Sequence, residues 1–164
     1  MKQQEIDDEL AQAGAQELLT GPHLCHVAYT GTDGTPRVIP IGFFWTGTQV
    51  VVCTATNAPK LAALAAGPDV AVTIDAGATP DQARSLSIRG RASIEIVDGV
   101  PGEYLAGAGK FLDDEARAAF EQGCRQLYGQ MARIAITPGW ARYYDYGGGR
   151  VPRFLADLAE QAQA

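Results

Sequence analysis

The sequence has few of the residues that build metal sites and disulfide frameworks. It contains three cysteines and two histidines among 164 residues, and no C-x-x-C pair. An odd number of widely spaced cysteines argues against both a disulfide framework and a zinc knuckle. His23, Cys25 and His26 lie close together, but Cys25 and His26 are adjacent on a predicted strand and point to opposite faces. No metal site is predicted.

Long apolar runs and an excess of positive charge are also missing. The first twenty residues are acidic and lack the continuous apolar core of a signal peptide, and no run reaches the roughly twenty residues that span a bilayer. The net charge is −6, so a nucleic-acid surface would need a basic patch acting against the overall field. We therefore expect a cytoplasmic protein that binds neither membranes nor nucleic acids.

The length and the apolar content fit one folded domain. Hydrophobic residues make up 46% of the chain, which is enough for a core at this size. We predict an N-terminal helix over 1–22, a sheet domain over 23–146 with a helical insertion over 102–129, and a C-terminal helix over 147–164. Apolar and β-branched runs predict strands at 24–30, 38–45, 49–54, 70–75, 85–97, 131–137 and 140–146.

Residues 33–64 carry the most informative pattern. Asp33-Gly34 is a turn signal, because glycine accepts the positive φ that tight hairpin turns need. The run 38–45 is almost wholly apolar, which predicts a strand buried on both faces. The short connection at 46–48 then makes this strand antiparallel to 49–54.

The segment after the second of these strands predicts a phosphate site. Thr54-Ala55-Thr56 ends the strand, Asn57 is placed to cap a helix, and Pro59 fits its first turn beside Lys60. A helix N-terminus presents unpaired N–H groups, and two threonine hydroxyls with the Lys60 ammonium would complete a phosphate cradle. On composition alone, a solvated lysine near a helix start is an equal alternative.

These motifs resemble the pyridoxamine 5′-phosphate oxidase-like family, whose members bind FMN or the 8-hydroxy-5-deazaflavin coenzyme F420. The resemblance implies an α+β fold, an antiparallel six- to seven-stranded split β-barrel with flanking helices. It rests on the D-G-x-P turn at 33–36, the apolar strand after it, Thr54, Lys60 followed by Leu64, the strand that ends in G-x-A at 90–92, and the closing run 132–140.

The same resemblance assigns cofactor-binding residues. The backbone of Ile39, Pro40 and Ile41 would pass along the ring system, and Thr54-Ala55-Thr56 with Lys60 would hold the phosphate. Ser85 takes the position of a glutamine that lies near the ring in the oxidases. No catalytic residue is implied, because the chemistry belongs to the cofactor and the protein positions it. Family members are usually homodimers with the cofactor at the subunit interface, which we also expect here.

Several positions depart from the oxidase pattern. Ile39 and Phe44 stand where the oxidases carry Arg and Lys, and Pro59 stands where they carry Arg before the anchoring Lys. The missing basic residues argue against pyridoxamine 5′-phosphate oxidation and against tight FMN binding, although the acidity of the chain disfavours the polyglutamate tail of F420. We predict an oxidoreductase that transfers hydride between FMN or F420 and a small organic substrate, and we favour F420.

Two further interpretations remain open. A non-catalytic carrier or sensor would bind flavin, deazaflavin or haem in the same barrel, and a structural dimer would bind no cofactor. Arg84, Arg89 and Arg91 form the one dense basic cluster. Arg89 and Arg91 share a strand face, and they either line a groove for an anionic substrate or coenzyme tail or pair with surface carboxylates.

One phosphate-loop-like sequence is set aside. Residues 107–110 read G-A-G-K, but the first glycine of the G-x-x-x-x-G-K pattern would fall at Tyr104, and Phe111 replaces the hydroxyl residue that binds magnesium. This segment is predicted to be a loop that connects helices.

Overall fold

The computed structural model describes residues 1–162, which form seven strands and six α-helices. Among these residues, no helix combines the length and the apolar character needed to cross a bilayer. The strands are β1 (Cys25–Thr30), β2 (Pro36–Ile41), β3 (Phe44–Trp45), β4 (Val50–Ala55), β5 (Asp69–Ala76), β6 (Arg84–Asp98) and β7 (Gln130–Asp145). The helices are α1 (Gln3–Leu10), α2 (Ala13–Thr20), α3 (Lys60–Ala66), α4 (Gly102–Gly109), α5 (Asp114–Leu127) and α6 (Arg153–Gln161).

The seven strands form one antiparallel sheet in the order β2-β1-β5-β6-β7-β4-β3. The chain passes from β2 at one end of this order to β3 at the other through Gly42 and Phe43. The sheet therefore curls until its ends meet without pairing, and we call this junction the seam. The predicted α+β fold with an antiparallel split β-barrel is confirmed.

Alternation along the strands separates two apolar clusters. Val50 and Val52 of β4 belong to the main core inside the barrel, together with inward-facing residues of β1, β5, β6 and β7. Val51 and Cys53 point to the opposite face and belong to a second cluster with residues of α4 and α5. Successive side chains on a strand point to opposite faces, so β4 separates the barrel interior from the α4–α5 segment.

The pairing of β6 with β7 is the longest in the sheet. It runs from Arg84 opposite Asp145 to Asp98 opposite Gln130, with a bulge between Arg89 and Gly90. A side chain at position 90 would place its Cβ 2.4 Å from the carbonyl oxygen of Thr137, closer than real contacts allow. Glycine is required here because the two backbones approach so closely.

Two segments predicted as single elements are divided in the structure. The N-terminal helix is interrupted at Ala11 and Gln12, between α1 and α2. The predicted insertion over 102–129 contains two helices, α4 and α5. In contrast, the two closing strands predicted at 131–137 and 140–146 are one strand, β7. Pro138 is tolerated within it because it lies at the bulge and beyond Ile136, the last residue paired with β4. The predicted C-terminal helix corresponds to α6, and its last two residues, 163–164, lie outside the described residues.

The strand predicted at 38–45 also differs from the structure. β2 ends at Ile41 and pairs with β1, and only Phe44 and Trp45 pair with β4. β2 is an edge strand whose Val38 is 65% exposed, so the prediction of burial on both faces was wrong. Pro36 and Pro40 lack the N–H groups that a central strand would need.

Glu9 of α1 ties the N-terminal helices to the end of β7. Its carboxylate accepts hydrogen bonds from the Tyr143 backbone N–H at 2.9 Å, from Arg142 at 3.0 Å and from Arg150 at 2.6 Å. Burial acts to raise the pKa of Glu9, but the Tyr143 hydrogen bond and the two arginines outweigh it and lower the pKa. The group is 7% exposed, so folding depends on keeping it ionised and paired.

We predict that Glu9→Gln lowers the free energy of unfolding by about 2–3 kcal/mol at pH 7, because two arginines and one amide lose a buried charged partner. Because folding depresses the pKa of Glu9, its contribution is present above the normal glutamate range and is lost as pH falls through the depressed value. The gap between wild type and variant in urea unfolding should therefore narrow under acidic conditions.

Glu17→Gln is the matched control, since it removes the same charge from an exposed ion pair with Arg84. Its unfolding free energy should change by less than about 1 kcal/mol. Equal stability of wild type and Glu9→Gln at pH 7 would contradict the assigned role of Glu9.

Candidate functional site

A cleft of about 610 Å³ lies at the seam of the barrel. One wall is the end of β2 and the turn after it, and the opposite wall is the second half of β4. Helices α4 and α5 close the third side. The strand, turn and loop residues that line it are Leu24, Pro40, Ile41, Gly42, Phe43, Val51, Cys53, Thr54, Ala55 and Met131, and the helical segment with the residue after it contributes Glu103, Tyr104, Gly107, Ala108, Phe111, Leu112, Phe120 and Tyr128.

A lysine and a threonine are paired beside the cleft, where the threonine belongs to the lining and the lysine lines a small interior cavity with Ile39 and Leu64. The Lys60 ammonium donates a hydrogen bond to the Thr54 hydroxyl at 3.3 Å, and Thr54 lines the cleft. Lys60 is the first residue of α3, with Pro59 at the N-cap and no capping side chain, so the predicted cap at Asn57 is not formed. Because α3 has seven residues, the positive charge at this end comes from Lys60 more than from a helix dipole.

The predicted cofactor-binding residues separate into two groups. Pro40, Ile41, Thr54 and Ala55 all line the cleft, and Lys60 adjoins it through Thr54. The structure does not bring the other three residues to the cleft. Ile39 packs against the barrel core, and Thr56 is exposed in the turn after β4. Ser85 pairs with Asp75 and Tyr144 near the start of β6. The β6 residue level with Thr54 across the sheet is Ile96, near the other end of that strand.

The aromatic wall from α4 and α5 was missed by reasoning from the sequence. The ring centroid of Tyr104 lies 5.8 Å from that of Phe120 and 6.3 Å from that of Tyr128, the latter in an edge-to-face arrangement. Such geometries are favourable for aromatic pairs. The spacing of Tyr104, Gly107 and Phe111, three to four residues apart, indicates one helical face and could have predicted this wall.

Helix α4 is held against the seam by close packing. Gly107 lies within α4, so the predicted loop over 107–110 is helical in all but its last residue. A Cβ at Gly107 would lie 2.8 Å from the carbonyl oxygen of Phe43. Lys110 follows the helix and stacks over the Phe43 ring at 4.1 Å while donating to the Leu19 carbonyl at 3.0 Å. Burial lowers the pKa of Lys110.

The titratable groups inside the cleft are electrically neutral or paired. Glu103 accepts a hydrogen bond from Arg133 at 3.0 Å, and although burial opposes ionisation, this pairing and a backbone hydrogen bond lower the pKa of Glu103. Burial, with the nearby Glu103, raises the pKa of the Cys53 thiol to about 11. Burial, with Tyr128 and Cys124, raises the pKa of Tyr104 to about 12. Within residues 1–162, no three His, Cys, Asp or Glu side chains converge as a metal site requires.

The sequence matches a protein-family model described as pyridoxamine 5′-phosphate oxidase over residues 11–119. This region contains six of the seven strands and the Thr54–Lys60 pair. The chain belongs to the pyridoxamine 5′-phosphate oxidase family. A search among proteins with curated descriptions finds no match.

Solved structures of the same architecture agree with membership of this family. A conserved hypothetical protein of Mycobacterium tuberculosis is 19% identical, with a TM-score of 0.60, and the match covers 93% of this chain and 89% of that one. An F420 reductase is 22% identical, with a TM-score of 0.54 and coverage of 77% and 94%. An FAD-binding protein of Mesorhizobium loti is 17% identical, with a TM-score of 0.53 and coverage of 80% and 90%. At these identities the likeness shows the shared fold.

We predict that Gly107→Ala lowers the free energy of unfolding by about 1–3 kcal/mol, because the added methyl group forces α4 away from the Phe43 backbone. Urea unfolding followed by circular dichroism measures this change. The matched control is Gly123→Ala on α5, where a Cβ meets open space. The control should stabilise the chain by about 0.5–1 kcal/mol through helix propensity. A stabilised Gly107→Ala variant would contradict the close packing of α4 at the seam.

Proposed function

We propose that the protein binds a flavin or deazaflavin coenzyme in the cleft and transfers hydride between that coenzyme and a small organic substrate. The observation that carries this proposal is the hydrogen bond from Lys60, which lies just outside the cleft, to Thr54, which belongs to the lining of this largely apolar cleft. A coenzyme of this class has the matching construction, a flat ring system joined through a chain to a phosphate. The shared fold of the F420 reductase and the FAD-binding protein supports the assignment.

The phosphate end of the coenzyme fits the Thr54–Lys60 pair. A lysine ammonium has three N–H donors, and one of them reaches Thr54. No carboxylate within residues 1–162 lies within 4.0 Å of Lys60. Two donors and a full charge are therefore available to a phosphate oxygen, and such charge-assisted hydrogen bonds are the stronger kind.

The ring end of the coenzyme fits the apolar part of the cleft. β2 pairs with β1 on one side only, so alternate backbone groups beside Pro40 and Ile41 face no other strand. These groups can hydrogen-bond the polar edge of a ring. Tyr104 and Phe120, on the third side of the cleft, supply flat apolar contacts.

When bound, the coenzyme supplies the hydride chemistry. Thr54 and Lys60 hold its phosphate, the β2 backbone orients its ring, and the aromatic wall from α4 and α5 keeps water away from the reacting face. The Glu103–Arg133 pair carries no net charge, so the cleft favours an uncharged substrate beside the ring. Pyridoxamine 5′-phosphate oxidation is not proposed, since Ile39, Phe44 and Pro59 replace basic residues of that enzyme.

Between the two coenzymes we favour F420. A single lysine supplies little positive charge for an FMN phosphate, and the side chain at Ile39 is committed to the barrel core instead of the cleft. The low density of cations around Thr54 is the reason for this preference.

We also propose a homodimer with the coenzyme at the subunit interface. Leu24 and Phe111 line the cleft and are 46% and 47% exposed, and Val38 on the neighbouring edge strand is 65% exposed. A second chain would cover these apolar groups and the free edge of β2. Sedimentation equilibrium at micromolar concentration should give the mass of two chains, and the mass of one chain would contradict the proposal.

A carrier or sensor is the second candidate function. Among residues 1–162, Glu103 is the one carboxylate that lines the cleft, and Arg133 engages it, so no unpaired carboxyl group faces the substrate. His23 and His26 do not line the cleft. A haem-binding carrier would therefore have no histidine ligand in the cleft. Repeated turnover with a reduced coenzyme and an unsaturated substrate distinguishes the enzyme from the carrier.

We predict that Lys60→Ala weakens coenzyme binding by roughly ten- to a hundredfold, which corresponds to the loss of about 1.5–3 kcal/mol for a charge-assisted contact. Separate titrations with FMN and F420, followed by coenzyme fluorescence, measure the dissociation constants. Lys2→Ala is the matched control, because it removes the same charge from an exposed residue outside the cleft. Unchanged affinity in Lys60→Ala would contradict the phosphate assignment, and no binding of either coenzyme would contradict the proposed function.

A further inference from the structure

One arginine differs from every other arginine in the described chain. The sequence contains ten arginines, and nine of them have a carboxylate oxygen within 4.0 Å. Arg89 has no such partner among residues 1–162. Its guanidinium instead lies over the Trp140 ring, 4.1 Å from the centroid. The protein has more carboxylates than basic side chains, yet the Arg89 guanidinium is not paired with any carboxylate of residues 1–162.

The backbone presents Arg89 in a specific way. Arg89 pairs with Trp140 directly beside the bulge of β6, where Gly90 pairs with Pro138 and Gly139 is skipped. A bulge bends the strand and changes the direction of its side chains. Arg89 and Trp140 are opposite neighbours on the outer face of the sheet, and stacking on the indole holds the planar guanidinium in place.

Small residues beside Arg89 leave a groove. Ala71 of β5 is directly opposite Arg89, and Ala28 of β1 is opposite Ala71. The two alanines form a shallow floor across two strands, and adjacent strands are about 4.8 Å apart. The resulting groove has a volume of about 760 Å³ and shares no lining residue with the seam cleft.

The groove has a net positive lining. Arg37, Arg89 and Arg91 line it, and Asp69 is its one acidic lining residue. Arg91 is paired with Asp69 at 2.9 Å, and Arg37 is paired at 2.8 Å with Asp33, which lies outside the lining. The flanking arginines are therefore held by aspartates, and Arg89 is the one arginine of this lining whose N–H donors have no partner among residues 1–162.

We propose that this groove is a second binding site, for a small organic oxyanion with a flat body. The Arg89 guanidinium offers parallel N–H donors that match a carboxylate or a phosphate ester. The alanine floor accepts the flat body, and the Trp140 ring beside it adds an apolar wall. The assignment is independent of the coenzyme cleft, because the two sites have different residues.

The test is a titration of a Trp45→Phe variant, in which Trp140 is the remaining tryptophan. The probes are benzoate, phenyl phosphate and inorganic phosphate. Benzoate or phenyl phosphate should give a saturable change in Trp140 fluorescence, and whichever is tighter identifies the preferred headgroup. Inorganic phosphate should bind more weakly than phenyl phosphate, because it lacks the flat body. No saturable change with either aromatic probe, or equal binding of the two phosphates, would overturn the proposal.

Variants locate the binding at Arg89. Arg89→Gln should raise the dissociation constant of the tighter probe by roughly tenfold or more. Calorimetry measures this change, because removing the guanidinium from the indole also alters Trp140 fluorescence. Arg153→Gln removes the same charge from exposed α6 and should leave the affinity unchanged. Equal affinity in wild type and Arg89→Gln would overturn the proposal. A failed groove titration with intact coenzyme binding would leave the proposed function standing.

Discussion

The long antiparallel pairing of β6 with β7 is the constraint on which the rest of this structure depends. One half of β7 pairs with β4 and so places Thr54 and Cys53 at the seam. The other half carries the bulge that presents Arg89 beside Trp140. The end of β7 supplies the Tyr143 N–H that binds Glu9 and fixes the N-terminal helices. A change in this register would therefore alter the cleft, the groove and the helix packing together.

The cations of this protein are distributed unevenly between paired and unpaired sites. In a chain of net charge −6, nine of the ten arginines have a carboxylate within 4.0 Å. Exposed ion pairs of this kind contribute little to the free energy of folding. Among the described residues, three cations line cavities without a carboxylate within 4.0 Å: Lys60 beside the seam cleft, Lys110 over the Phe43 ring and Arg89 in the outer groove. Charge that the fold does not neutralise is where an anionic ligand gains most.

Local patterns predicted much of the fold. Alternating and β-branched runs predicted the positions of six sheet strands within a few residues, and the family motifs predicted the open barrel. The errors arose where tertiary contacts determine the strand ends. β2 ends at Ile41, and the chain then crosses the seam to pair with β4 from Phe44. The apolar pattern of 38–45 does not reveal this crossing. For the site, three of the predicted residues, Pro40, Ile41 and Thr54, line one cleft, and their part in coenzyme binding stays a prediction. Helical spacing indicates that Tyr104 and Phe111 share one helix face, but the sequence does not show that this face packs on β4, because that contact forms only when two helices fold back over the sheet.

A crystal structure of the chain with F420 or FMN tests the central claim most directly. The account predicts the ring between β2 and the aromatic wall of α4 and α5, with a phosphate oxygen within hydrogen-bond distance of the Thr54 hydroxyl and the Lys60 ammonium. A coenzyme found elsewhere, or one whose phosphate lies away from both residues, would contradict the assignment of the seam cleft as the coenzyme site.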